Sequence, residues 1–352
     1  MHLLSVGAAF PAHYYSQTQL IEAFAEAWGR EHHNVDRVRR LHEAVMVGGR
    51  HLALPMEAYD ALRGFTDANT AFLEVGTSVG AEALDRALTL AQLRHDDVDM
   101  MTSVSVTGIG TPSIDARLVH RTELRDDLKR VPIFGLGCVA GAAGVARLHD
   151  YLVGHPDDVA VLLSVELCSL TLQRRDLSVA NLIASGLFGD GAAAVVAVGD
   201  ARAKALDVRG PRVVASGRRI YPDSERVMGW DIGDSGFRIV LDKSVPNVVR
   251  QYLRDDVDGF LARHDLCRSD IARWICHPGG PKVLDAFQEC LALPDGALDL
   301  TWQSLKEVGN LSSASVLMVL QQHLAAPPPP GSWGLMIAMG PGFCSELVLL
   351  RW

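Results

Sequence analysis

The stretch VPIFGLGCVAGAAGVARLHDYL, Val131 to Leu152, decides how this chain is read. Its first residues are apolar and strand-like. A hinge of small residues follows, Gly135, Gly137, Ala140, Gly141, Ala142, Ala143 and Gly144. Beyond it, apolar residues recur at helical spacing. A strand running through a glycine hinge into a helix is a building unit of α/β architecture. Cys138 stands at the hinge. A thiol at a helix N-terminus meets unpaired N–H groups and the positive end of the helix dipole, which favours its thiolate. The position therefore suits a nucleophile. It equally suits a structural thiol buried in a tight contact.

The same grammar extends in both directions. HLLSVGAAF reads as a strand, and SQTQLIEAFAEAWGREH as a helix with Ser16 or Thr18 as its cap. AFLEVGTSVGAEALDRALTLAQL is apolar at helical spacing, and DVDMMTSVSVTG and DVAVLLSVELCSL read as strands. LFGDGAAAVVAVG is a glycine-rich turn entering a buried strand. In the second half, RWICHPGG is strand then turn, PKVLDAFQECLAL a helix with Pro281 in its first turn, and NLSSASVLMVLQQHLA a helix opened by Asn310 or a nearby serine. PPPPG forces a break before two closing strands, SWGLMIAMGPG and SELVLLRW. Two α/β halves are expected, residues 1–205 and 206–352, joined near Gly199 to Gly210.

Composition narrows the function classes. The chain has 352 residues, 48% hydrophobic and 21% charged, with a formal charge of −9. That is ordinary for a soluble globular protein and unfavourable for a broad nucleic-acid surface. No apolar run approaches membrane-spanning length. MHLLSVGAAFPAHYY lacks a basic start, and Pro11 interrupts it, so no secretory leader is read and a cytoplasmic protein is expected. Six cysteines without CxxC spacing suggest reduced thiols. The 13 histidines are scattered, His32-His33 included, and suggest no metal site. GGPK lacks the spacing of a phosphate loop, and RVRR has no aromatic platform for nucleic acid.

Two further polar residues sit at element junctions. His277 ends the strand of WICHPGG, where α/β folds build sites. Asn310 precedes an apolar helix in EVGNLSSASVLMVL. Alone, each has a plain reading, a hydrogen-bonded histidine and an N-cap. Together with Cys138 they offer a nucleophile, a partner for its proton, and two donors for a developing oxyanion or enolate.

These motifs resemble the thiolase superfamily of condensing enzymes, and within it the chalcone synthase-like type III polyketide synthases, in a bacterial form. The resemblance spans nearly the whole chain: GLGCVAGAAG at Cys138, HPGGPKVLDAF at His277, GNLSSASVLMVL at Asn310, LFGDGAAAVV and GPGF, in that order. It implies a duplicated αβαβα five-layered sandwich and a homodimer. It also implies acyl transfer from a CoA thioester to Cys138. Malonyl-CoA would then extend the chain by decarboxylative condensation, its enolate held by His277 and Asn310. Decarboxylation itself makes the carbanion, so no catalytic carboxylate is required. No cofactor is implied beyond CoA thioesters as substrates, and a carrier protein is a conceivable partner.

The resemblance also carries over binding residues. Phe188 and Phe237 match gatekeepers between the CoA tunnel and the cavity. Thr171 and Ser312 match cavity-shaping positions, and Gly280 belongs to the histidine motif. Arg37 and Arg40 match positions that hold CoA phosphates, for which the arginine fork is suited; the third basic position is Ala44 here. Gly186, Ser185 and Ala184 are candidates for leaving a tunnel for an acyl chain. The chain departs from plant members at Met339 in AMGPGF, at Thr111, and in a shorter QRRDLSVANLIASG. Plant substrate specificity is therefore not transferred. The nearest rival is a ketoacyl synthase or pyrone-forming ketosynthase fed by a carrier protein, although HPGG stands where the ketoacyl synthase pattern has HQAN. More distant rivals are a cysteine hydrolase, whose local signature is absent, and a non-catalytic acyl-binding relative. Pyrone, resorcinol and phloroglucinol-type rings all remain open as products.

Overall fold

Every residue of Val159–Leu167 and of Asp190–Val198 is buried. Strands without a solvent face must be covered on both sides, and this requirement organises the molecule. The computed structural model describes residues 1–29, 34–208 and 210–352. Its main sheet holds nine strands: β1 (His2–Ala9), β2 (Met100–Ser105), β3 (Lys129–Phe134), β4 (Val159–Leu167), β5 (Asp190–Val198), β6 (Arg212–Ile220), β7 (Ile271–Cys276), β8 (Trp333–Gly340) and β9 (Cys344–Arg351). Their spatial order is β7-β8-β9-β6-β1-β5-β4-β2-β3.

The order contains a duplication. From the middle outward, β1, β5, β4 and β2 pair antiparallel, antiparallel, parallel. On the other side β6, β9, β8 and β7 pair in the same sequence. Within the sheet the halves join where His2 pairs antiparallel with Arg212. The first half carries an extra edge strand, β3, paired parallel to β2.

Period-two burial sets the layers. Ala193, Val195 and Ala197 of β5 enter a central core, while Ala192, Ala194 and Val196 enter an outer one. In β8, Met336 and Ala338 face the same central core, and Leu335, Ile337 and Met339 face a second outer core. Helix α1 (Gln17–Gly29), α2 (Val35–Glu43), α3 (Phe65–Ala91), α4 (Ala140–Gly154), α5 (Val179–Leu187), α6 (Val245–Ala262), α7 (Pro281–Leu291), α8 (Asp299–Val308) and α9 (Ser315–Ala325) complete the frame. Helices α4 and α9 fill the central layer, α3 covers one outer face, and α6 with α7 covers the other. The result is the expected αβαβα sandwich. Val316 to Leu320 of α9 are all buried, as a helix apolar all round requires. In α4, a Cβ on Gly141 would collide with the Ser313 carbonyl and one on Gly144 with Leu162. The small-residue hinge thus lets α4 lie against both β4 and the turn before α9.

Local expectations are met and corrected in detail. Ser16, not Thr18, opens α1: its Oγ accepts the Gln19 N–H at 3.3 Å, and Gln19 Oε1 accepts the Ser16 N–H at 2.9 Å. Pro281 is the first residue of α7. Asn310 is not an N-cap, because α9 begins at Ser315 after a tight turn at Ser312–Ala314. The expected end of the first helix, with His32-His33, lies outside the described residues. A hairpin of Met228–Gly233 and Gly236–Leu241 was not expected; its half-exposed residues give it weak alternation. Among the described residues no helix is long and apolar enough to cross a membrane.

Candidate active site

The two central helices begin alike. A single tight turn, Gly137–Val139, feeds α4, and another, Ser312–Ala314, leads to α9. Each turn starts in left-handed backbone, Gly137 at φ +57° and Ser312 at φ +48°. Glycine adopts this freely. A Cβ there would also lie 2.7 Å from Pro341 Cδ, so Gly137 allows the late GPGF loop to close over the turn. Serine meets a conformational penalty of about 1 kcal/mol in this region. Ser312 is held there by its own N–H, which donates to Asn310 Oδ1 at 2.8 Å.

These turns face one another. The Cys138 thiol approaches Ser312 Oγ at 3.7 Å, and both residues are buried. With its carboxamide oxygen engaged by Ser312, Asn310 keeps an NH₂ that donates to no described protein group. Its backbone is clamped as well: its N–H donates to the Leu187 carbonyl at 2.9 Å, and its carbonyl accepts the Gly189 N–H at 3.0 Å. Asn310 thereby bridges to Phe188.

His277 leaves β7 with its N–H on the Ile337 carbonyl at 2.8 Å. Its ring is buried, and neither nitrogen has a hydrogen-bond partner among the described residues. Burial holds its pKa down at about 3, so the imidazole is neutral, with one nitrogen able to donate and the other to accept. Burial also pushes the Cys138 thiol up to about 12; the Ser312 hydrogen bond opposes this, and the nearby Glu166 carboxylate adds to it. Burial thus works against the thiolate that a helix terminus favours.

Cys138 and Ser312 line a small chamber of about 40 Å³. Cys168, Phe188, Trp230 and Ile239 separate it from a larger cavity of about 540 Å³, since they line both. Phe188 thus stands at the boundary between the two. Phe237 lines neither chamber. Its ring packs edge-on against Phe65 at 5.2 Å and beside Trp230 at 6.0 Å, and Trp230 supplies the wall instead. Thr171 lines the larger cavity and donates to the Cys168 carbonyl at 2.7 Å. Gly280, at φ +127°, caps α7 close to Leu187. Ala184 and Ser185 line the larger cavity, but Gly186 does not; a Cβ there would strike His42 at 2.7 Å. Arg37 and Arg40 lie one turn apart on the exposed face of α2 and touch neither chamber.

Sequence reasoning missed Glu166. It is fully buried in β4 and accepts from Val106 N–H at 3.1 Å, from Thr107 Oγ1 at 2.8 Å and from Ser313 Oγ. Its signal was visible as one carboxylate inside the apolar run DVAVLLSVELCSL. Trp230 was hidden in the unexpected hairpin.

A duplicated αβαβα sandwich with a buried cysteine at one central turn and an asparagine at the other defines a thiolase-fold condensing enzyme. Comparison with known proteins narrows this class. The family models "Chalcone and stilbene synthases, N-terminal domain" and "C-terminal domain" match residues 1–201 and 212–352. The chain is 55% identical to a 1,3,6,8-tetrahydroxynaphthalene synthase of Streptomyces peucetius subsp. caesius, over 99% of this chain and 92% of that protein. It is 34% identical to a putative chalcone synthase of Bacillus subtilis, over 99% and 98%. The crystal structure of the Streptomyces coelicolor 1,3,6,8-tetrahydroxynaphthalene synthase, a bacterial type III polyketide synthase, superposes with a TM-score of 0.92 at 31% identity, covering 100% of this chain and 99% of that one. The chain belongs to the chalcone and stilbene synthase family; it is a bacterial type III polyketide synthase, an acyl-transferring condensing enzyme.

Proposed function

We propose that Cys138 loads an acyl group from a CoA thioester and that His277 and Asn310 drive its extension by malonyl-CoA. The observation that carries this reading is the meeting of the two central turns, which sets the Cys138 thiol 3.7 Å from Ser312 Oγ, both lining one small chamber, with Asn310 holding the Ser312 N–H. As Sγ attacks the thioester carbonyl, its proton passes to His277, and the CoA thiolate leaves with a proton from that imidazolium. Loss of CO₂ from malonyl-CoA then leaves a thioester enolate. The Asn310 amide and the His277 N–H stabilise its oxygen. The enolate carbon attacks the acyl-Cys138 carbonyl, the Cys138 thiolate departs, and a chain two carbons longer remains on CoA.

Similarity to the tetrahydroxynaphthalene synthases favours a polyhydroxylated naphthalene as product. Such a ring carries no alkyl or aryl substituent, so malonyl-CoA would serve as both starter and extender. Arg37 and Arg40 would bind CoA phosphates, and Phe188 would gate the chamber. The edge strand β3, with Val131 and Phe134 exposed, supports a homodimer. The test is incubation of the purified protein with labelled malonyl-CoA, alone and with a panel of acyl-CoA starters, followed by mass spectrometry. A tetrahydroxynaphthalene from malonyl-CoA alone, absent in Cys138→Ala, supports the proposal. Pyrones or resorcinols formed only with an added starter refute the product assignment. Extension only from a malonyl carrier protein refutes the CoA scheme, and no Cys138 acylation from any donor refutes the catalytic one.

A further inference from the structure

A buried arginine lies beneath the Phe188–Asn310 bridge, and the scheme above does not use it. Arg50 belongs to the short strand Gly49–Leu52 and is 2% exposed. Its Nη1–H donates to the Phe188 carbonyl at 2.6 Å. Its stem runs between two glycines. A Cβ on Gly309, which sits at φ +75°, would lie 3.2 Å from Arg50 Cγ and Cδ and 2.7 Å from the Leu187 carbonyl; one on Gly189 would lie 3.4 Å from Arg50 Cβ. The two glycines thus leave the space this side chain occupies.

The arrangement is poorly explained as a structural ion pair. Asp190 attracts the guanidinium, but its carboxylate oxygens are taken by Ala53 N–H at 2.6 Å, Ser169 N–H at 2.8 Å and Ser169 Oγ. Arg50 Nε and Nη2 have no hydrogen-bond partner among the described residues. A buried cation with a single hydrogen bond is expensive to maintain. That bond goes to the residue that bridges Asn310.

We infer that Arg50 is a positioning residue for Asn310, acting through the Phe188 carbonyl; this rests on the catalytic reading proposed above. The path is continuous. Phe188 is flanked by the two backbone bonds to Asn310, Asn310 Oδ1 holds the Ser312 N–H, and Ser312 Oγ meets the Cys138 thiol. Removing the guanidinium orphans a carbonyl in segment 187–189 and releases the amide that faces the enolate. A displacement of about 1 Å at such a group costs on the order of a hundredfold in rate.

The test measures CO₂ release from malonyl-CoA per active site, with sites counted by acylation of Cys138. Wild type, Arg50→Met, Arg50→Lys, Asn310→Ala and the Arg50→Met/Asn310→Ala double variant are compared. The expected result is a fall in kcat of about 10–100-fold in Arg50→Met with KM for malonyl-CoA little changed. Lysine, which keeps a donor and the charge, restores part of the rate. In the Asn310→Ala background the arginine substitution costs less than about twofold, because the two act as one unit. An unchanged kcat per titrated site, a rise in KM alone, or losses that multiply in the double variant would overturn the inference. If Arg50→Met is insoluble, Gly309→Ala, which crowds the arginine stem, carries the same expectations. A wild type that neither acylates nor releases CO₂ refutes the catalytic reading; an active wild type with an unaffected arginine variant refutes only the role of Arg50.

Discussion

The turns that open the two central helices are built alike and carry different chemistry. In the first half, glycine takes the left-handed position and the next residue is the Cys138 thiol. In the second, Ser312 takes that position, and the residue matching the thiol is Ser313, bonded to Glu166 and 2.7 Å from Ser164 Oγ. The duplicated fold brings two helix N-termini to one place. One contributes a reactive atom and stays sterically bare; the other contributes hydrogen bonds and tolerates backbone strain to aim them. A symmetric frame can therefore hold an asymmetric site, because only the side chains at equivalent positions have to differ.

The largest expected effect comes from removing the reactive half. Cys138→Ala should abolish product formation, by at least about 10³-fold, while CO₂ release from malonyl-CoA persists, since the thiol takes no part in that step. Both are read from one labelled-malonyl assay; product formation at wild-type rate would end the assignment of Cys138. Next is the amide half. Asn310→Ala should lower CO₂ release about 10²–10³-fold, the usual cost of one oxyanion donor. Equal CO₂ release in both variants would show that the halves do not divide the chemistry in this way.

Exchanging the turn residues gives smaller, unequal effects on stability. Gly137→Ala places a Cβ at positive φ and against Pro341, and should destabilise by about 1–3 kcal/mol in urea unfolding. Ser312→Gly relieves strain and loses the contact with the thiol, so its stability should stay within about 1 kcal/mol of wild type. Similar losses in both would contradict the distinction between a bare turn and a held one.

The pH dependence of stability should show His277 only on the acid side. Its folded pKa, about 3, lies below the ordinary 6.5. Above pH 6.5 it is neutral folded or unfolded and has no effect. As pH falls below 6.5 the unfolded chain takes up the proton, and stability is lost at up to about 1.4 kcal/mol per pH unit. His42 and His323, both at about 4 through burial, add the same trend. His277→Gln should flatten the fall in urea midpoint between pH 7.5 and 5; an unchanged slope would mean that the ring is not desolvated.

The strand and helix units were legible because their periodicities are local. The apolar runs of β4, β5 and β8 and the all-apolar face of α9 announce buried layers. Cys138, His277 and Asn310 were visible because each sits where one element gives way to another. Phe237 was matched to a gatekeeper by resemblance alone; its ring packs into an aromatic cluster with Phe65 and Trp230, and Trp230 lines both chambers. Gly186 was read as room for substrate, whereas it makes room for His42. Arg50 gave no signal in GGRHL, since its partners are the carbonyl of Phe188 and the space beside Gly309, far along the chain.

By itself, the sequence determined the alternation of strands and helices, the family and the three polar residues at the junctions, because these depend on residue type and short-range spacing. Only the tertiary structure decided that the two central turns meet, that the thiol is desolvated, and that a buried arginine braces the asparagine. Each of these depends on which distant segments exclude water from one another, and desolvation is a property of the assembled layers that no single segment carries.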